Sequence, residues 1–340
     1  MSIPSPAAVI FGCASKALRT QEQRFFARTN PMGFILFARN CRTPDQIRAL
    51  CADLRDSVGR MDAPILIDQE GGKVVRLQPS HWREVPAAET IGDLARHNQG
   101  KGGEAAYLNA RLIAAELTDL GINVDCAPVL DLPQQGAHDV IGSRAFGNDP
   151  DMVAFLGRRA CEGFLDGGVI PVIKHIPGHG RATCDSHEQL PVVAASRDDL
   201  ETHDFKPFRA LSDMPWAMTA HVVYTALDTD RPATTSPTVI EKVIREHMNF
   251  GGVLVSDDLS MKALSGDMAA RANAALGAGC DLVLHCNGKM DEMEAVAEGA
   301  RPISPQSTRR FMLSENMKKI VKSFDFKENI SIFHRIINDG

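Results

Sequence analysis

The sequence predicts a single (β/α)8 barrel, an α/β fold, and two observations carry that expectation. Eight apolar, β-branched runs alternate with segments of helical periodicity, and polar residues fall at the C-terminal ends of most of those runs. In a barrel these ends form one rim, and that rim is where active sites are built. The length of 340 residues suits one barrel with additions. No Gly-x-Gly-x-x-Gly follows the first run, which argues against a doubly wound dinucleotide fold.

The eight runs are Ala7–Cys13, Gly33–Asn40, Ala63–Glu70, Asn123–Asp131, Val169–His175, Trp216–Tyr224, Gly252–Asp258 and Asp281–Asn287. Most are continuously apolar rather than alternating, as strands covered on both faces should be. Helical patterns occupy Thr43–Val58, Gly103–Leu120, Asp149–Leu165, Arg197–Leu211, Pro237–Met248 and Met261–Ala278. Thr43 ahead of Asp45 and Gln46 makes a helix start, and so does Ser196 ahead of Arg197, Asp198 and Asp199. Ser260 is placed to cap a helix beginning near Met261. Residues 1–300 are expected to form the barrel, and 301–340 a helical tail packed on its outside.

Composition narrows the class. Hydrophobic residues make up 44% and charged residues 24%, the balance of an ordinary globular chain. The net charge is −6 and no basic stripe carries interleaved aromatics, so nucleic acid is not an expected partner. Eight cysteines are scattered with no Cys-x-x-Cys pair, a pattern of the reducing cytosol rather than of a disulfide framework. Met1 to Cys13 lacks a basic region before its short apolar run and so does not read as a signal peptide. No run of about 18 apolar residues occurs, so no membrane span is expected. A cytoplasmic monomer is expected.

The chemistry concentrates on residues 174–187. Lys174, His175, His179, Arg181, Asp185 and His187 share a stretch broken by Pro177, Gly178 and Gly180. So many ionisable groups in a loop at a strand end point to a site rather than to packing. Asp185 and His187 stand two apart. A carboxylate beside an imidazole stabilises its protonated form and holds one tautomer, as a general acid/base requires. Cys184 has no neighbour that would lower its pKa and is read as a spectator.

A carboxylate at a strand tip, here Asp257 or Asp258, can act as nucleophile, base, ligand or helix cap. Parity puts Asp257 on the face of Val253 and Val255, and Asp258 on that of Leu254 and Ser256. Both faces of a barrel strand are buried, so periodicity does not choose between them. Asp68-Gln69-Glu70-Gly71-Gly72 followed by Arg76 supplies a carboxylate and a guanidinium suited to hydroxyl recognition. Arg144 follows Asp131 in another rim loop, and His221 reads equally as core residue or contact. A metal-dependent hydrolase using His175, His179, His187 and Asp257 is the rival reading. Pro177 and Gly178 forbid the helix that would align His175 with His179, and no His-Glu-x-x-His occurs. Neither a metal nor another cofactor is expected.

Lys174-His175-Ile176-Pro177-Gly178-His179-Gly180 with Asp185-Ser186-His187, preceded by Asp68-Gln69-Glu70-Gly71-Gly72 and followed by Ser256-Asp257-Asp258-Leu259-Ser260-Met261, resembles the β-N-acetylglucosaminidase branch of glycoside hydrolase family 3. The resemblance runs from about Gly33 to Asn287 in the expected order; Ile176 stands where many relatives have Phe. It implies removal of terminal, non-reducing N-acetylglucosamine from muropeptides in cell-wall recycling, by a retaining, two-step mechanism. It implies Asp257 as nucleophile, His187 as acid/base and Asp185 as its partner. It implies that Asp68, Arg76, Arg144, Lys174 and His175 hold the sugar. A phosphorylase of the same family and a catalytically dead sugar sensor are the further alternatives. Intact Asp257, Asp185 and His187 weigh against the sensor.

Overall fold

The structure is a computed structural model, and it describes residues 5–319 and 324–338. Eight parallel strands close a barrel in sequence order: β1 (Ala7–Gly12), β2 (Pro31–Leu36), β3 (Ile65–Ile67), β4 (Val124–Asp125), β5 (Ile170–Ile176), β6 (Trp216–Thr219), β7 (Val253–Asp258) and β8 (Leu282–His285), with β8 returning to β1. All eight expected runs supply a strand. Every residue of β2, β3 and β5 is buried, which explains why these runs are apolar without alternation. The run Asn123–Asp131 forms only a two-residue strand, because Pro128 has no N–H to donate to the ladder.

Thr43 caps Pro44–Val58 by accepting from the Gln46 amide, and Asp149 caps Pro150–Asp166 through the Met152 amide. The span Gly103–Leu120 falls on a helix that starts earlier, Gln99–Asp119, with Leu120 as its C-cap. Three helices before the tail, Thr20–Thr29, Ala88–His97 and Met290–Gly299, lie outside the segments read as helical. None of their start residues, Arg19, Ala87 or Lys289, offers a capping side-chain bond.

Three helical expectations need correction. The span Arg197–Leu211 divides into Arg197–Asp199, a π-turned Leu200–Asp204 and Lys206–Ala210. Pro207 interrupts the regular ladder there by removing a donor. Pro237–Met248 is a π-helix over Val239–His247. The helix expected from Met261 begins only at Met268, capped by Asp267 rather than Ser260. Ser260 is bound in a turn by the carboxylate of Asp258.

A two-residue parallel ladder outside the barrel, Val192–Val193 with Val223–Tyr224, ties the segment after His187 to the loop that follows β6. The expected tail, 301–340, falls partly outside the described residues. Within them, helix Pro305–Glu315 lies at the foot of the barrel. There Arg310 pairs with Asp281 at 2.8 Å, and the indole of Trp216 donates to Ser314 at 3.0 Å. Helix Phe326–Asn338 packs on Gln99–Asp119, with Arg83 stacked over Phe333. Among the described residues no helix is long and apolar enough to cross a membrane.

Candidate active site

Asp68, Glu70, Arg76, Arg144, Lys174, His175, His187 and Asp257 line one cleft of about 220 Å³ at the C-terminal rim. Phe37, Val140 and Ile141 add apolar wall. Asp185 stands behind His187 rather than in the wall. The structure therefore brings the eight residues that the resemblance implies for catalysis and sugar binding to one concavity, whereas Arg181, Cys184 and His221 lie outside its wall.

The β3 and β5 tips build a chain of alternating charge. Arg76 donates to Asp68 at 3.0 Å, and Lys174 bridges Asp68 at 3.0 Å and Glu70 at 2.6 Å. Arg144 grips Glu70 through two bonds of 2.8 Å. Three cations thus enclose two carboxylates in a partly desolvated place, where each pairing is far stronger than at a surface. Burial pushes Glu70 upward, but Lys174 and Arg144 more than offset it and hold its carboxyl at about 2. Asp68 is likewise raised by burial and brought below its ordinary value by Lys174 and Arg76. Gln69 points inward and staples the following turn, accepting from the amides of Arg76 and Leu77 at 2.9 and 3.0 Å. Gly71 is required in that turn. Its φ is +112°, and a Cβ would sit 2.1 Å from the Pro86 carbonyl oxygen.

Asp131 organises the start of the loop after β5. One oxygen accepts from the amides of His175 and His179, at 3.1 and 2.7 Å, and the other bonds His175 Nδ1 at 2.7 Å. The arrangement fixes the His175 ring and leaves Nε2 for the cleft. Burial raises the Asp131 carboxyl, but His175 more than compensates, so it stays ionised.

The pair at the β7 tip separates cleanly. Asp258 is consumed by structure: its Oδ1 accepts from Ser260 and Cys286 amides at 3.0 and 3.1 Å, and its Oδ2 from the Ser260 hydroxyl at 2.6 Å. Asp257 accepts only from the Asp258 amide, at 2.8 Å. Its other oxygen has no donor among the described residues. Burial pushes this carboxyl up, but His221, His175 and the Asp258 amide more than offset that, leaving an anion. His221 is a satisfied core histidine, with Nδ1 on Thr234 at 2.7 Å and Nε2 on the Asp258 carbonyl at 3.0 Å.

On the exposed part of the loop, Asp185 Oδ1 accepts from the His187 amide at 2.9 Å and meets His187 Nδ1 at 2.7 Å. Modest burial raises Asp185, and the amide and imidazole of His187 bring it below its usual range. With Nδ1 engaged, Nε2 is the nitrogen left for proton transfer. The residues weighed as metal ligands are dispersed by their own partners. His175 is tied to Asp131, His179 to Ser186 and His187 to Asp185. Among the described residues no group of three or more His, Cys, Asp or Glu side chains converges on a point.

Glu70, Asp131, His179 and Ser186 were not assigned by sequence. Glu70 was accessible to parity, since residues 68 and 70 share a face, and Asp131 to its place at the rim. His179 stood out in sequence only as an ionisable loop residue and rival metal ligand, and its pairing with Ser186 exists only in the folded loop.

Residues 10–309 match the family model described as "Glycosyl hydrolase family 3 N terminal domain". A β-hexosaminidase of Methylococcus capsulatus is 40% identical over 309 residues, 88% of this chain and 89% of the relative. One from Pseudomonas aeruginosa is 38% identical over 283 residues, 82% of each. The crystal structure of native NagZ from Neisseria gonorrhoeae superposes with a TM-score of 0.85 at 30% identity, covering 99% of this chain and 98% of that one. A family 3 β-N-acetylglucosaminidase from Paenibacillus gives a TM-score of 0.86 at 31% identity. It covers 97% of this chain, which spans 66% of that longer protein. The motifs, the barrel and these matches agree: the chain belongs to glycoside hydrolase family 3.

Proposed function

We propose that this protein is a retaining exo-β-N-acetylglucosaminidase of the cytoplasm, working as a monomer in cell-wall recycling. Its substrate is terminal, non-reducing N-acetylglucosamine β-1,4-linked to 1,6-anhydro-N-acetylmuramic acid, with or without a stem peptide. The observation that carries this reading is one cleft shared by an ionised, half-occupied Asp257 and a loop-borne Asp185–His187 pair. The β-hexosaminidase relatives and the N-acetylglucosaminidase structures support the sugar. Eight free cysteines support a reducing compartment.

The Asp68–Glu70–Arg76–Arg144–Lys174 chain and His175 present fixed donors and acceptors to sugar hydroxyls. Asp257 attacks the anomeric carbon and displaces the leaving oxygen, which takes a proton from His187 Nε2 in its imidazolium form. Asp185 steadies that cation through Nδ1. In the second step the now neutral imidazole removes a proton from water, which displaces Asp257 and restores the β-configuration. The usual retaining scheme places two carboxylates about 5 Å apart. A histidine in the second position avoids a further anion beside the departing oxygen.

Mass spectrometry after trapping with a 2-acetamido-5-fluoro glycosyl fluoride tests the assignment. A label on the peptide containing Asp257 is expected. An unlabelled enzyme, or a label elsewhere, overturns it. Product analysis with and without phosphate separates hydrolysis from phosphorolysis, and free N-acetylglucosamine is expected in both.

A further inference from the structure

We infer that His179 and Ser186 form a latch that positions the acid/base loop, His179 at the rigid strand tip holding Ser186 and thereby setting where His187 stands over the cleft. The inference rests on the acid/base role proposed for His187 and extends it to two residues with no other assigned part.

The loop after β5 has two differently anchored portions. Through Ala182 it is pinned to the barrel on several sides. The Tyr224 hydroxyl donates to the Gly178 carbonyl at 2.7 Å, the His179 amide to Asp131 at 2.7 Å, and Arg181 to Asp204 at 2.7 Å. The amides of Gln134 and His138 donate to the carbonyls of Gly180 and Ala182. From Thr183 to Gln189 the bonds turn inward on the loop itself. Asp185 takes the His187 amide and ring, and its carbonyl takes the amides of Glu188 and Gln189.

Among the described residues, one hydrogen bond joins 183–189 to the pinned portion: His179 Nε2 to Ser186 Oγ, 3.1 Å. Both partners are 3% exposed, whereas the neighbouring His187 side chain is 64% exposed. The serine between the two members of the dyad is therefore the residue turned into the protein. Its hydroxyl is bound by a ring that itself walls the cleft.

The ring is suited to that task. Burial, reinforced by His175 with its ring centroid 5.6 Å away, lowers His179 to about 4. A neutral imidazole accepts at one nitrogen and donates at the other, so it can serve a hydroxyl in either tautomer. Among the described residues His179 Nδ1 has no partner, so Ser186 is the one side chain there that this ring holds. Each residue carrying the dyad is a neighbour of Ser186 in sequence, so freeing the serine frees both.

The test separates positioning from folding by the leaving group, because an acid matters only when the leaving oxygen needs a proton. Ser186→Ala is expected to lower kcat/KM about tenfold on methyl β-N-acetylglucosaminide, a part of the roughly 10² to 10⁴ that a general acid supplies. On the 2,4-dinitrophenyl glycoside the loss should stay within about threefold. Inhibition by free N-acetylglucosamine should be unchanged, and Ser186→Thr should restore the rate. His179→Phe, which keeps a ring of similar shape without its nitrogens, should reproduce Ser186→Ala. Placed in a His187→Ala background, Ser186→Ala should cost nothing more, since the two act through one group. Equal losses on both substrates, or a further loss in that background, overturn the latch. If His187→Ala itself shows no leaving-group dependence, the acid/base reading falls first. If it shows one and Ser186→Ala does not, only the latch falls.

Discussion

At the tips of β3 and β5, charge is buried and every group has a partner: Arg76, Asp68, Lys174, Glu70 and Arg144 form one continuous chain. Across the cleft, a half-buried Asp185 and an exposed His187 sit on a loop, with contacts mainly to each other. One side holds its geometry by satisfying every charge. The other leaves a nitrogen open and depends on a few bonds for its position. A sugar-binding surface needs the first kind of construction, since misplacement by about 1 Å costs orders of magnitude. A proton carrier must change charge during turnover, which a locked, fully paired group resists. Asp257 belongs between them: it is fixed on a strand like the first side, yet keeps one oxygen open like the second.

The largest effect is expected where the two constructions meet. Asp257→Ala should lower kcat by about 10⁴-fold or more while leaving the unfolding midpoint close to wild type. Near-normal turnover of an aryl N-acetylglucosaminide would end the nucleophile assignment. On the loop side, His187→Ala should cost about 10² to 10⁴ on poor leaving groups, and far less on the dinitrophenyl glycoside. Its urea midpoint should not move, because the side chain is 64% exposed. A clear loss of stability there would erase the contrast between the two sides.

The strand side should respond the opposite way. Lys174→Met removes the cation shared by Asp68 and Glu70 and leaves two carboxylates in a low-dielectric place with one partner each. Breaking a buried pair costs about 3–5 kcal/mol, and the remaining Arg76 and Arg144 put the expected loss at the lower end. Urea denaturation reads it directly. Sugar affinity should fall with it, so that stability and KM move together as they should not on the loop.

The contrast also explains what could be read from sequence. The strands were legible because burial on both faces writes an unbroken apolar run, as in Val169–Ile173, and the rim polar groups because they interrupt such runs. The choice between Asp257 and Asp258 was not legible, since it depends on Cys286, a strand away in the barrel, taking one of the two carboxylates. The start of the helix at Met268 was lost for the same reason, Asp258 having captured Ser260. Glu70 and Arg144 meet across 74 residues, and no local pattern records their bond. The residues of the cleft thus announced themselves one by one through type and place, while their pairing required the fold.

One carboxylate on the strand side breaks its rule of full pairing, and it offers the finest test. Asp125, at the tip of β4, is buried; one oxygen accepts from the Gln69 amide at 3.0 Å, and the other has no partner among the described residues. Burial pushes this carboxyl up to about 8, and the Gln69 amide and Lys174 offset only part of that. In the unfolded chain the same group titrates near roughly 3.9. Between these values the folded state holds a proton that the unfolded state has released, so stability falls as pH rises. The slope is about 1.4 kcal/mol per pH unit while the difference lasts. Asp125→Asn copies the shape of the protonated acid and keeps an acceptor for Gln69, without the titration. Its urea midpoint should therefore gain on wild type with each unit from pH 5 to pH 8. A difference that stays constant across that range would mean that Asp125 is ionised in the fold, and that some group now unseen satisfies its second oxygen.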